Sequence, residues 1–98
     1  MRVSKNHRII DKKLLEHVRT LECLHCSVTP CQPHHVRSIG AGGGDILQNL
    51  MPLCTEAHTR IHMTGLCAAA NKNKGIREWL IDMGWTYDAI LLRWNAPF

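Results

Sequence analysis

Four of the chain's five cysteines and five of its seven histidines fall between Cys23 and His62. Metal-ligating and proton-carrying side chains are thus crowded into the middle of a 98-residue chain. A chain of that size makes one domain and buries only about two thirds of the surface it exposes when unfolded. Cores this small are commonly reinforced by a bound metal or by disulfides. The compartment decides between the two. Residues Met1 to Ile10 hold no apolar run of signal-peptide length, and no segment reaches the roughly 20 apolar residues of a membrane span. A reducing cytoplasm is therefore expected. There, an odd number of cysteines with one close pair reads as metal ligands plus a spare thiol.

The net charge of +4 favours a polyanionic partner. The basic residues are spread along the chain without the dense block of a nucleic-acid-binding tail.

Apolar residues at Ile10, Leu14, Val18 and Leu21 recur at helical spacing, which predicts an amphipathic helix within residues 8–21. Cys23 to Pro33 reads as a turn-rich knuckle. His34 to Ile39 and Ile46 to Leu53 are expected as a strand pair around the mobile glycine-rich turn Gly40 to Gly44. A helix follows, with Thr55 as its N-cap and Gly65 as its stop. Two more amphipathic helices are expected over 73–95, one on Ile76, Trp79, Leu80 and Met83 and ended by Gly84, the next on Tyr87, Ile90, Leu91 and Trp94. The fold class is a small α+β domain with a metal-centred middle, residues 23–65, braced by helices from both ends.

His58 and His62 stand four residues apart on the predicted helix, so both imidazoles share a face and can hold one divalent ion. The doublet His34-His35 can supply a third ligand. Neighbouring strand residues point to opposite faces, so one member ligates while the other stays free. A free imidazole with the reference pKa of ~6.5 suits a general base. By itself a helical His-x3-His is more often a surface pair than a site; the doublet and the cysteines raise the functional reading. Cys23 and Cys26, spaced C-x2-C, are half of a tetrahedral zinc site. Cys54 is the expected third ligand and Cys31 the fourth, each against the alternative of a small buried hydrophobe. Cys67 is expected as a free, buried thiol. Arg37 and Arg60 flank the site as phosphate-gripping candidates. Asn49 is expected to bridge backbone groups across the two strands and so fix where the free histidine points. His7, His17 and His25 are expected to carry no chemistry, and Trp79, Trp85 and Trp94 to fill the core.

The string from Cys23 to Gly65, CLHCSVTPCQPHHVRSIGAGGGDILQNLMPLCTEAHTRIHMTG, resembles the HNH or ββα-metal endonucleases, particularly the cysteine-bearing forms of phages and prophages. It shares with them the C-x2-C, the histidine doublet, the glycine-rich loop, the phrase from Asn49 to Cys54, and His58-x3-His62. The resemblance covers under half of the chain. It implies a ββα-metal core in which His34, His58 and His62 hold a catalytic Mg, Mn, Ni or Zn ion, His35 is the general base and Asn49 fixes the hairpin. It also implies DNA as the partner, phosphodiester hydrolysis as the reaction, and the cytoplasm of a bacterium or phage-infected host as the setting. Histidine at position 34, where many members have aspartate, resembles the three-imidazole arrangement of colicin-type nucleases. Ala57 departs from the pattern: many cysteine-bearing relatives have a ligand there, and alanine has none to offer. The rival expectation is a zinc-stabilised DNA-binding module whose histidines are structural; a closed four-ligand site would favour it.

Overall fold

The computed structural model describes residues 8–98. Its element order is α1 (Lys12–Arg19), β1 (Gln32–His35), β2 (Leu50–Leu53), α2 (Thr55–Thr64), α3 (Leu66–Lys72), α4 (Lys74–Asp82), β3 (Thr86–Asp88) and β4 (Arg93–Asn95). Four helices and two antiparallel two-stranded sheets make a small α+β fold. Among the described residues no helix is long and apolar enough to cross a membrane.

Capping sets the bounds of α1. The Asp11 carboxylate accepts from the Leu14 amide at 3.0 Å, one of the donors a helix N-terminus leaves without a partner. Basic His17 and Arg19 occupy its last turn, where they complement the helix dipole. The helix is shorter than the expected span because Ile10 precedes the cap and is exposed, so only the Leu14–Val18 side faces inward. Val18 is fully buried.

β1 and β2 pair in the register Gln32↔Leu53, Pro33↔Pro52, His34↔Met51 and His35↔Leu50. Both strands are shorter than the sequence pattern predicted, because Asn49 ends the pairing. Its side chain is fully buried and takes over backbone groups that a longer ladder would have used. Asn49 Oδ1 accepts from the Arg37 amide (2.7 Å), and its Nδ2 donates to the carbonyls of Arg37 (3.1 Å) and Gly44 (3.0 Å). The glycine run leaves Gly40 and Gly42 exposed and packs only its last part, Gly43 and Gly44, against this network. Gly42 takes the left-handed conformation, φ 89°, and a Cβ on Gly43 would collide with the Arg37 carbonyl and the Asn49 amide. Asn49→Ala is expected to cost roughly 2–4 kcal/mol, since it strands buried backbone groups without partners; a fall in thermal midpoint checks this.

α2 starts one residue after its cap, which is Cys54 and not Thr55: the Cys54 sulfur accepts from the Ala57 amide at 3.4 Å. Gly65, at φ 89°, stops the helix as expected. α3, rich in alanine and lacking an amphipathic stripe, was not anticipated. α4 follows its pattern, with Asn73 as cap and Ile76, Trp79 and Leu80 buried.

The expected last helix is instead a hairpin. Asp88 Oδ1 accepts from the amides of Ile90 and Leu91, both at 2.9 Å, a local turn that competes with helix formation. Leu92 adopts φ 55°, and β3 pairs with β4 so that Tyr87 lies opposite Trp94. Ile90, Leu91 and Leu92 are left at the exposed tip, and the helical periodicity there was fortuitous. The core gathers Met51, Leu53, Ile61, Ile76, Trp79, Leu80 and Trp85 around the hairpin and α4.

Candidate metal centre

The β1–β2 hairpin and α2 bring three imidazoles together. The ring centroids of His34 and His58, and of His34 and His62, are 5.0 Å apart, and those of His58 and His62 are 4.7 Å apart. Each ring has a ligand atom within 4.8 Å of the others'. The Nε2 atoms of His58 and His62 are 3.0 Å apart, against about 3.4 Å for two nitrogens ~2.1 Å from one tetrahedral ion. His34 is 8% exposed, and its Nδ1 is buried without a hydrogen-bond partner. Leaving such an atom unpaired costs about 1–3 kcal/mol, a cost that a bound cation would remove. The three residues therefore fit a divalent metal.

Burial keeps His34 and His58 neutral and their lone pairs available. Burial, reinforced by any charge on His58 and His62, pushes His34 down to about 4. Burial and His62 also hold His58 below its ordinary value. Its Nδ1 lies 2.6 Å from Gln32 Oε1. An acceptor there places the proton on Nδ1 and presents Nε2 as the ligand atom, the usual part of a second-sphere partner. Gln32, at the start of β1, was not anticipated from sequence.

A depressed histidine pKa gives a definite pH response. The metal-free folded protein resists protonating His34, whereas the unfolded chain takes up that proton below ~6.5. Acidification from pH 6.5 towards 4 should therefore remove about 3 kcal/mol of stability. Denaturant melts at both pH values with the His34→Gln variant alongside test this, since the variant should lose that part of the slope.

His35 is kept out of the triad by strand alternation. Its Nε2 lies 2.7 Å from Oδ1 of Asp45, which is 2% exposed. Burial alone would raise the Asp45 pKa; hydrogen bonds from His35, the Asp11 amide and Arg8 outweigh it and hold the carboxyl below its usual value. Asp45 is thus an anion. An anion at Nε2 places the imidazole proton on that nitrogen and leaves Nδ1 with a free lone pair. The sequence reading missed Asp45. The available signal was a lone carboxylate beside the glycine run, ten residues from the doublet.

The sulfur cluster is a separate group. Cys23, Cys26 and Cys54 have ligand atoms within 4.8 Å of one another. The sulfurs of Cys26 and Cys54 are 3.6 Å apart, against about 3.8 Å for two sulfurs ~2.3 Å from one tetrahedral ion. Burial opposes ionisation of Cys23, but backbone amides of Cys54, Cys26 and His25 prevail and lower its pKa. This trio too can hold a metal. Cys31 is a neighbour of the trio: its thiol donates to the Val28 carbonyl at 3.5 Å, and burial, with the charges of Cys23, Cys54 and Cys26, pushes it up to about 11. Ala57 packs in the core beside the cluster.

Arg37 is exposed next to the site, with its guanidinium 5.3 Å from the Phe98 ring. Arg60 is not brought there. It lies two residues from each helix histidine, about 200° round the helix, and bonds Glu56 at 2.8 Å and His25 at 3.1 Å. His25 packs against Asn73, and His17 is exposed on α1. Cys67 is half-buried, donating to the Leu92 carbonyl. His7 lies outside the described residues. Compared with protein-family models, curated proteins and solved structures, the chain matches none.

Proposed function

We propose that the chain is a metal-dependent endonuclease of the HNH, or ββα-metal, type that hydrolyses DNA phosphodiester bonds by a one-metal mechanism. One observation carries this reading. Three imidazoles converge on a single point while a fourth, His35, is tied to a buried carboxylate and has an unused lone pair. A structural ion needs four closed ligands; three leave a position for water or phosphate. The hairpin followed by the histidine helix supports a ββα-metal core, with Cys23, Cys26 and Cys54, closed by the neighbouring Cys31 as fourth ligand, as a structural zinc site.

His35 Nδ1 takes a proton from the attacking water, and Asp45 stabilises the imidazolium that forms, orienting the ring throughout. Asn49 holds the Arg37 backbone two residues beyond His35 and so limits how the base can swing. His34, His58 and His62 would hold the cation, which when bound supplies positive charge to the phosphate and the departing oxygen. Arg37 adds a guanidinium for a phosphate oxygen.

Purified protein incubated with supercoiled plasmid and Mg²⁺, Mn²⁺, Zn²⁺ or Ni²⁺ is expected to nick or linearise it with at least one ion. Metal analysis of the same sample should find metal bound. Intact plasmid under every ion, with metal present, would replace this reading by that of a zinc-stabilised DNA-binding module.

A further inference from the structure

The C-terminal hairpin has no task in the hydrolysis described above, yet it sets Arg93, Trp94 and Asn95 across from the residues that follow His35. Between them lies a cleft of about 440 Å³, with Arg37 and Ser38 on its other wall. Its walls take one arginine from each of two separate parts of the chain, Arg37 and Arg93, and neither has a carboxylate partner among the described residues. Asp88 is the cross-strand neighbour of Arg93, but the Asp88 carboxylate is engaged by the amides of Ile90 and Leu91. Arg37 is fixed at its base by Asn49 and rests on Phe98.

Two arginines without carboxylate partners match one ligand chemistry well. Guanidinium forks bind phosphate oxygens. The Ser38 hydroxyl accepts from the Ala41 amide and keeps its own proton to donate. The cleft's place fits as well. Arg37 is two residues beyond His35, about 7 Å of chain, and Leu66 in the cleft wall opens α3 directly after the Gly65 stop of the histidine helix.

We propose that the Arg37–Arg93 cleft binds the nucleic-acid strand next to the cleaved phosphodiester, with the two arginines reaching neighbouring phosphates. This rests on the nuclease reading, but binding can be measured without cleavage. The reference protein carries His35→Ala, so that labelled oligonucleotides, single- and double-stranded, survive. Their affinity is followed by fluorescence anisotropy over a salt series without chelator. Arg37→Ala and Arg93→Ala are each expected to weaken binding about tenfold and to reduce the salt slope by roughly one counter-ion, and Arg93→Lys to restore most of that slope. Both arginines are exposed, so thermal midpoints should be unchanged.

Reference-like affinity in both alanine variants overturns the proposal. So does displacement of the oligonucleotide by poly-glutamate at equal charge, which would mark a general polyanion surface. If binding depends on Arg93 but no metal supports cleavage, the cleft stands and the nuclease reading fails. If plasmid is cut and Arg93→Ala in the otherwise unaltered protein cuts it equally well at limiting substrate, the cleft fails alone.

Discussion

Replacing His35 with alanine is expected to slow DNA cleavage by about 10²–10⁴-fold, the usual contribution of a positioned general base. Metal uptake at the histidine triad and affinity for uncut DNA should stay within about twofold, because His35 is outside the set of converging ligand atoms. The fold should survive as well. Asp45 keeps the Asp11 amide and Arg8 as partners when the imidazole is gone. A second variant guards against misreading: Asp45→Asn keeps a hydrogen-bond acceptor beside Nε2 but removes the negative charge, and should lower the rate by about tenfold with a shifted pH profile. Cleavage by His35→Ala at the parental rate would remove His35 from the mechanism.

The second large effect concerns stability. Stripping metal from the sulfur trio, or replacing Cys23 with serine, is expected to cost at least about 3 kcal/mol and to lower the thermal midpoint by more than about 12 °C. The reason is architectural. The knuckle has no regular secondary structure between α1 and β1, and its inward contribution comes mainly from Cys23 and Cys31. Without an ion, that segment keeps only a few backbone hydrogen bonds, among them the Leu24 amide to the Pro52 carbonyl and the Cys31 amide to the Arg19 carbonyl. Melting curves with and without chelator, paired with metal analysis of the parent and Cys23→Ser, give the measurement. Identical melts with no thiolate-bound metal in the parent would show the trio to be plain packing.

The histidine helix was legible because two ligands at i and i+4 must share a face, and Gly65 marked its end unambiguously. The His34-His35 split was legible for a similar reason: a strand cannot turn two neighbours the same way. Asp45 and Gln32 were not legible, since each acts through a single hydrogen bond to a residue distant in sequence, 10 positions away for Asp45 and 26 for Gln32. Local patterns carry no trace of such pairings. Arg60 was placed near the site by proximity in sequence, which ignored the helical angle separating it from both histidines. The final hairpin was misread because Tyr87, Ile90, Leu91 and Trp94 fit helical periodicity, while the decisive residue was Asp88, whose carboxylate captures the amides a helix would need. For Cys31, spacing alone could not separate a fourth ligand from a buried thiol beside the other three sulfurs.

Cys54 belongs to two arrangements at once. Its sulfur is part of the thiol trio, and the same atom receives the Ala57 amide and begins the helix that carries His58 and His62. An ion among the thiols would therefore bear, through one sulfur at the first turn of α2, on the orientation in which that helix offers its two imidazoles.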